Sequence, residues 1–250
     1  MGVKNFSMDL TFLSIALIFF ILLASCLVGA VAAYGSNLLA LPLLLLILQD
    51  MDTVVAVLLI TGIVQGGHLV VLNKTYVNTK KLVVILWLCL LGAPVGLWGS
   101  DVLPEHELLC AVGGVLIISG IIPLLWAVVL KLPDMVSKSL LVLGGIIHGA
   151  FGTGGGPVVL AARSMLPDKL EFRATLFTFW LILNVLLLAS RGLMQRIDSH
   201  MLLLSLVALP ALYLGNVLGQ KIAFWLSRSM FDRLVGLVLI MTGVMIIVQA

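Results

Sequence analysis

Ala33-Tyr34-Gly35-Ser36 and Ala150-Phe151-Gly152-Thr153 are the two stretches on which the fold turns. Set 117 residues apart, they hold two identical and two conservatively paired positions, each at a break in a long apolar run. The likeness continues downstream. Pro94 and Gly99 match Pro210 and Gly215 at an offset of 116, then Gly113, Ser119 and Gly120 match Gly236, Thr242 and Gly243 at 123. The extra residues fall between Gly99 and Gly113, where the second copy has a longer connection. Ordered matches of this kind predict a duplication, with a first membrane repeat over 1–131 and a second over 132–250.

Both copies are built for lipid. Of 250 residues, 62% are hydrophobic and 10% charged, with a mean hydropathy of +1.27, which places the chain among integral membrane proteins. A barrel strand would alternate polar and apolar residues, whereas Leu10 to Ala33 and Leu108 to Leu130 are apolar on nearly every face. The fold class is therefore an all-α polytopic membrane protein.

Charges, prolines and polar clusters divide the chain into helices at about 10–34, 53–72, 82–100, 107–130, 137–151, 172–190, 199–222 and 230–249, with short ones near 38–49 and 156–166. Eleven residues of helix rise only about 16 Å, roughly half of the 30 Å hydrocarbon core. Each short helix reads as one arm of a broken hairpin.

Five segments per half is an odd number, so the two copies are expected in opposite orientations across the membrane, as inverted-topology repeats whose broken helices meet near the midplane. Charge supports this. With ten crossings and both termini outside, eleven Lys and Arg residues fall in the cytoplasm and only Lys4, Arg191 and Arg196 outside. A rival eight-span arrangement would move Arg163, Lys169, Arg173, Lys221, Arg228 and Arg233 to the outer side. The net charge of +3 is modest and implies no nucleic acid.

The short helices also suggest the sign of a ligand. Both begin at a break and aim their N-termini, with unpaired N–H groups and partial positive charge, at the midplane, which favours an anion. Pro157 suits the first helical turn, and Gly154, Gly155 and Gly156 let a ligand approach the backbone. On this reading Gly154→Leu abolishes transport and leaves a folded protein. The first copy has Gly35-Ser36-Asn37-Leu38-Leu39 in place of the glycine run, and Pro42 lies two positions later than Pro157, so an asymmetric site is expected.

No Asp, Glu, Lys or Arg falls in the middle of an assigned helix, so the remaining candidates are neutral. His148, about one turn before Gly152, can donate to an anion, take up a coupled proton, or bond a neighbouring helix. Ser36, Thr153 and Asn37 either contact ligand or cap the short helices. Asn184 is a ligand contact or an interhelical hydrogen bond. His68 with Gln65, one turn from the loop at Asn73, reads as interfacial before it reads as a substrate contact, and His106 and His200 read as solvated.

Small residues four apart, as in Gly92/Gly96, Gly145/Gly149 and Gly215/Gly219, read as close-packing faces. Cys26, Cys89 and Cys110 offer neither metal spacing nor a disulfide framework, so neither a metal nor a cofactor is expected. Leu23-Ala24-Ser25-Cys26 imitates a lipoprotein cleavage site, but cutting there would remove most of a helix whose counterpart is kept. An intramembrane enzyme with Ser36 or Thr153 as nucleophile and His148 as base lacks a GxSxG elbow and an orienting carboxylate. A passive anion channel is the other alternative.

Gly149-Ala-Phe-Gly-Thr-Gly-Gly-Gly-Pro157, followed by Phe172-Arg-Ala-Thr175 and Asn184, resembles the second repeat of the sulfite exporter TauE/SafE family of membrane transporters. The likeness spans essentially the whole chain, with Gly29, Gly35 and Pro42 in the place of the first repeat. It implies a secondary transporter in a prokaryotic cytoplasmic membrane that moves small sulfur-containing anions such as sulfite, sulfoacetate or other organosulfonates, often outward. Substrate would sit around Gly152 to Pro157 and the first break. The first break departs from the family pattern in having Ser36-Asn37-Leu38-Leu39 in place of a glycine-rich run, which bears on substrate more than on fold. Coupling to protons or Na⁺ and a homodimer are further expectations.

Overall fold

The computed structural model describes residues 12–102, 104–125, 132–194 and 199–249. Expectations resting on Lys4, Lys131 and Arg196, and on residues 10–11 and 126–130, lie outside the described residues. Among those described, all regular structure is helical: α1 Phe12–Ala32, α2 Ser36–Leu48, α3 Met51–Asn73, α4 Thr79–Val102, α5 Glu105–Leu125, α6 Asp134–Phe151, α7 Gly155–Met165, α8 Lys169–Leu193, α9 Ser199–Val207, α10 Leu209–Trp225 and α11 Arg228–Gln249, with one 3-10 turn at Lys74–Tyr76. Among the described residues, six stretches are long and apolar enough to cross a membrane, within α1, α3 (with the turn that follows it), α4, α6 and α8 and across α9–α10.

Several helices start earlier than hydropathy alone suggests, because a polar side chain caps them. Asp50 accepts from the Thr53 N–H at 2.8 Å, Asn78 from Lys81 at 3.0 Å, and Asp168 from both Leu170 and Glu171 at 2.9 Å. Such caps hold first-turn N–H groups that would otherwise lack a partner.

One expected helix is two. The stretch read as a single helix over 199–222 breaks at Ala208, because Pro210 has no N–H to give and starts α10 instead. Ala208 closes a tight turn onto the Ser205 carbonyl at 3.2 Å.

Glycine sets the helix pairs. A Cβ at Gly92 or Gly96 of α4 would overlap the carbonyls of Val142 or Ile146 in α6, and one at Gly145 or Gly149 would overlap those of Cys89 or Ala93, so these two helices run side by side in the same direction at backbone contact. The Cys89 thiol donates to the Leu141 carbonyl across the same seam at 3.1 Å. Gly215 and Gly219 of α10 lie in the same way, in parallel, against Leu23 and Leu27 of α1. In contrast, α5 and α11 run antiparallel, Gly113 facing Gly243 and Gly120 facing Gly236. So do α3 and α8, with Gly62 on Asn184 and Gly66 on Leu181. Other contacts pair off likewise: α2 packs on α11 and α7 on α5, while α10 packs on α3 and α4 on α8.

The two breaks correspond in a different register from the one that sequence identity suggests. α1 ends at 32 and α6 at 151, α2 begins at 36 and α7 at 155, so both landmarks stand 119 residues apart rather than 117. Ala33, not Gly35, is the counterpart of Gly152. Both take the left-handed conformation, at φ 67° and 65°, and donate back to the carbonyls of Gly29 and His148 at 2.8 Å.

A candidate anion cavity where the breaks meet

The two breaks touch. Asn37, in the first turn of α2, donates from Nδ2 to the Gly152 carbonyl at 2.9 Å, tying one break to the other. Around this bond lies a cavity of about 50 Å³, space for a few waters or one small oxyanion at about 10–15 Å³ per water. Its walls include Gly35, Ser36, Asn37, His148, Gly152, Thr153, Gly154, Gly155 and Asn184. Gly156 and Pro157 do not line it; they are buried in the first turn of α7.

Neither short helix is capped by a side chain. Gly35 precedes α2 and Gly154 precedes α7, and no side-chain oxygen accepts from either first turn. Ser36 sits one residue inside α2 and Thr153 one residue before the Gly154 cap position, so the capping role open to them from sequence is not the one they take. The first residues of both helices, Ser36 and Asn37 of α2 and Gly155 of α7, line the cavity, and an uncapped helix N-terminus is a place that favours anions.

His148 is 1% exposed, and neither ring nitrogen has a hydrogen-bond partner. Trp180 lies against it with ring centroids 5.4 Å apart, and the Asn184 amide stands beside the ring without closing a hydrogen bond. The Oδ1 of Asn184 is likewise buried and unpartnered. Buried polar atoms are nearly always satisfied, so these groups around one small cavity mark where a polar guest would complete the bonding.

Glycines bring this wall together. A Cβ at Gly62 would meet the Asn184 amide at 2.5 Å and that of Asn37 at 3.5 Å, and one at Gly29 would meet the Ser36 side chain at 2.7 Å. At Gly154 a Cβ would overlap the Gly144 carbonyl, so Gly154→Leu forces α6 and α7 apart and does not test substrate contact by itself.

α8 supplies the opposite wall from a single stripe. Arg173, Phe177, Trp180, Asn184, Leu187 and Arg191 are spaced three or four apart and so share one helix face. Trp180 donates from its indole to the Ala33 carbonyl at 3.1 Å. Arg173 donates to the Ala30 carbonyl at 2.6 Å and to Gln220 at 3.1 Å, and its guanidinium lies 5.5 Å from the Phe177 ring centroid. Arg191 donates to Asp52 at 2.9 Å and to the Ala150 carbonyl at 3.3 Å. Each arginine thus binds a carbonyl in the last turn of one of the helices that lead into the breaks, where a cation is favoured. Among the described residues no Asp or Glu lines the cavity.

Charge counting set Arg173 on the cytoplasmic side and Arg191 on the outer side; both lie within α8 and are buried, 4% and 2% exposed. Gln65, read as interfacial, is 5% exposed and lines the cavity. Tyr34, Phe177 and Trp180 line it too and were not singled out. The stripe on α8 was available as a heptad-like spacing.

A sequence model of the family described as sulfite exporter TauE/SafE matches residues 17–246, nearly the whole chain and both breaks. The chain belongs to the TauE/SafE family. That makes it a multi-pass membrane protein of a transporter family whose description is sulfite export. No curated protein and no solved structure matches it.

Proposed function

We propose that the protein is a secondary transporter of small sulfur-containing anions, sulfite, sulfoacetate or other organosulfonates, acting as an exporter by alternating access around the cavity between the breaks. The observation that carries this reading is the cavity itself: two uncapped helix N-termini, an unpartnered His148 and no carboxylate in one small buried space. Gly35, Ser36, Asn37, His148, Gly152, Thr153, Gly154, Gly155 and Asn184 are the substrate contacts on this view, with Gly156 and Pro157 supporting the α7 N-terminus from behind.

The two repeats are inverted in this reading. Exchanging the halves turns the α1/α10 pair into α6/α4 and leaves α3/α8 and α5/α11 paired with themselves. Pairs that map onto themselves run antiparallel, and a two-fold axis lying across the helices, in the membrane plane, has that effect. Both termini then lie outside a prokaryotic cytoplasmic membrane. A homodimer joined through apolar outer faces completes the expected assembly.

Counterflow in proteoliposomes tests the function. Sulfite, thiosulfate, sulfoacetate, taurine and a carboxylate control are loaded in turn while entry of labelled anion is followed. Saturable exchange restricted to sulfur oxyanions or sulfonates is expected. Flux that does not saturate and shows no counterflow would indicate a channel instead.

A further inference from the structure

A second polar cluster leads away from the cavity wall. Gln65 lines the cavity, and its Nε2 donates to the Cys26 carbonyl at 2.8 Å and to Asn216 Oδ1 at 3.0 Å. The Nδ2 of Asn216 in turn lies 3.2 Å from His68 Nδ1. His68 stacks on Tyr213 with centroids 5.9 Å apart.

The polarity of this chain is fixed from one end. A backbone carbonyl only accepts, so the Gln65 atom facing Cys26 is the NH₂ group. Its two hydrogens serve Cys26 and Asn216, which makes Oδ1 the Asn216 atom facing Gln65 and the Asn216 NH₂ the donor to His68. His68 Nδ1 is therefore a lone-pair acceptor, and the ring proton sits on Nε2.

A proton on Nδ1 cannot be accommodated without movement. Nδ1–H would face the Asn216 NH₂, donor against donor. Turning the Asn216 amide over moves the conflict to Gln65, and turning Gln65 over places its Oε1 against the Cys26 carbonyl, acceptor against acceptor. The conflict ends only when Gln65 leaves Cys26, and the space beside it is the anion cavity.

We infer that His68 is a proton-binding site linked to the anion cavity through Asn216 and Gln65, so that protonation of His68 frees Gln65 to contact the bound anion. Nδ1 takes the proton from a hydronium ion, whose O–H bond breaks as the N–H bond forms, leaving water and no other product. One positive charge is then gained as one anion is bound, and each favours the other by linkage. Histidine is the side chain suited to this between about pH 5 and 8.

The charged groups around it are engaged elsewhere or distant in sequence. On α8, which packs on α3, Lys169 donates to the Ala223 and Leu226 carbonyls, Glu171 accepts from Asn78, and Arg173 and Arg191 are bonded as described. α10 presents Tyr213 and, further along, the exposed Lys221; α2 has no titratable residue; α9 has only His200; and Lys74 and Tyr76 follow the end of α3.

The inference rests on the anion-carrier reading, and its test separates the two. In nanodiscs, side-chain amide and imidazole NMR signals are followed from pH 5 to 8. The Gln65 and Asn216 amides are expected to shift with the same midpoint as the His68 ring, and to stay constant in His68→Asn, whose Oδ1 accepts from Asn216 at every pH. A Gln65 amide that stays still while His68 titrates overturns the link, in wild type alone if the variant does not fold. Methanesulfonate, ionised throughout this range, is then added at saturation and should raise the His68 midpoint by about half a pH unit, about a threefold tighter binding to the protonated form. An unchanged midpoint while Trp180 signals report binding overturns the coupling. If methanesulfonate, sulfate and sulfoacetate all leave the cavity signals unmoved, the anion-carrier reading fails, and the His68 to Gln65 link is still decided by the titration without anion.

Discussion

The first break and the second solve one backbone problem with different residues. At the left-handed position the first uses Ala33, at φ 67°, and the second Gly152, at φ 65°. At the position before the short helix both have glycine, for opposite reasons. Gly35 has φ 94° and room for a side chain, a Cβ there meeting only Val238 at 3.4 Å and Val28 at 4.0 Å. Gly154 has an ordinary φ of −111° and no room at all, since a Cβ would overlap the Gly144 carbonyl. The first glycine is there for conformation and the second for space, so a glycine in a sequence does not say by itself which of the two it supplies.

The largest expected effect follows from that contrast. Gly154→Ala should prevent α6 and α7 from packing, and the yield of monodisperse protein from detergent should fall to a small fraction of wild type. Gly35→Ala should still fold, at a loss of about 1–2 kcal/mol for a left-handed alanine, read as a lowered midpoint in thermal unfolding. Equal losses for the two would break the comparison.

Next is the charge of the wall between the breaks. Asn37→Asp cannot donate to the Gly152 carbonyl and brings a negative charge to the cavity, so counterflow should vanish. Asn37→Ala leaves the carbonyl unsatisfied, at about 1–3 kcal/mol, and should retain measurable flux with a lowered unfolding midpoint. Greater flux in Asn37→Asp than in Asn37→Ala would argue for a cationic substrate.

His148→Ala should weaken anion affinity by roughly 10- to 100-fold, the range for removing a hydrogen bond to a charged group at about 1.5–3 kcal/mol. The unfolding midpoint should fall little by comparison, because the ring makes no hydrogen bond in the folded protein. A large drop in stability with affinity intact would return His148 to a packing role.

The smallest effect is expected at Ala33→Gly. Relief of left-handed strain, about 1–2 kcal/mol, is offset by the entropy of a glycine, about 0.5–1 kcal/mol, and by a lost buried methyl, about 0.8 kcal/mol. Stability should change by no more than about 1 kcal/mol in either direction, read as a nearly unmoved unfolding midpoint. Gly152→Ala, which gains strain and also meets Val55 at 3.2 Å, should be clearly destabilising.

Much of the fold was legible because lipid removes alternatives. An apolar run of twenty residues must be helical, and short runs after Gly35 and Gly154 can only be broken hairpins. The candidate cavity was legible in part for the same reason, since breaks must find polar company. The two-residue error in register arose because Gly35 and Gly152 look alike in sequence, while the backbone matches Gly152 to an alanine. Hydropathy also hid Arg173 and Arg191. Their place at the two ends of an apolar run suggested charges at the membrane surfaces, but helix ends inside the protein favour cations, and α8 reaches both. Gln65 was left between two readings because distance from a loop says nothing about which way a side chain faces, and the 3.0 Å bond to Asn216 spans 151 residues of sequence.

The central claim is that the anion crosses through the space between Ser36–Asn37 and Gly152–Gly155. Thr153→Cys, in a Cys110→Ser background where the remaining Cys26 and Cys89 are buried, puts one reactive thiol on that wall. The rate at which a small thiol reagent blocks flux is measured with and without the anion that exchanges fastest. Modification should be at least tenfold slower when the anion is bound, and counterflow should be lost in step with modification. Modification at the same rate with or without the anion, in protein that still transports after labelling, would contradict it.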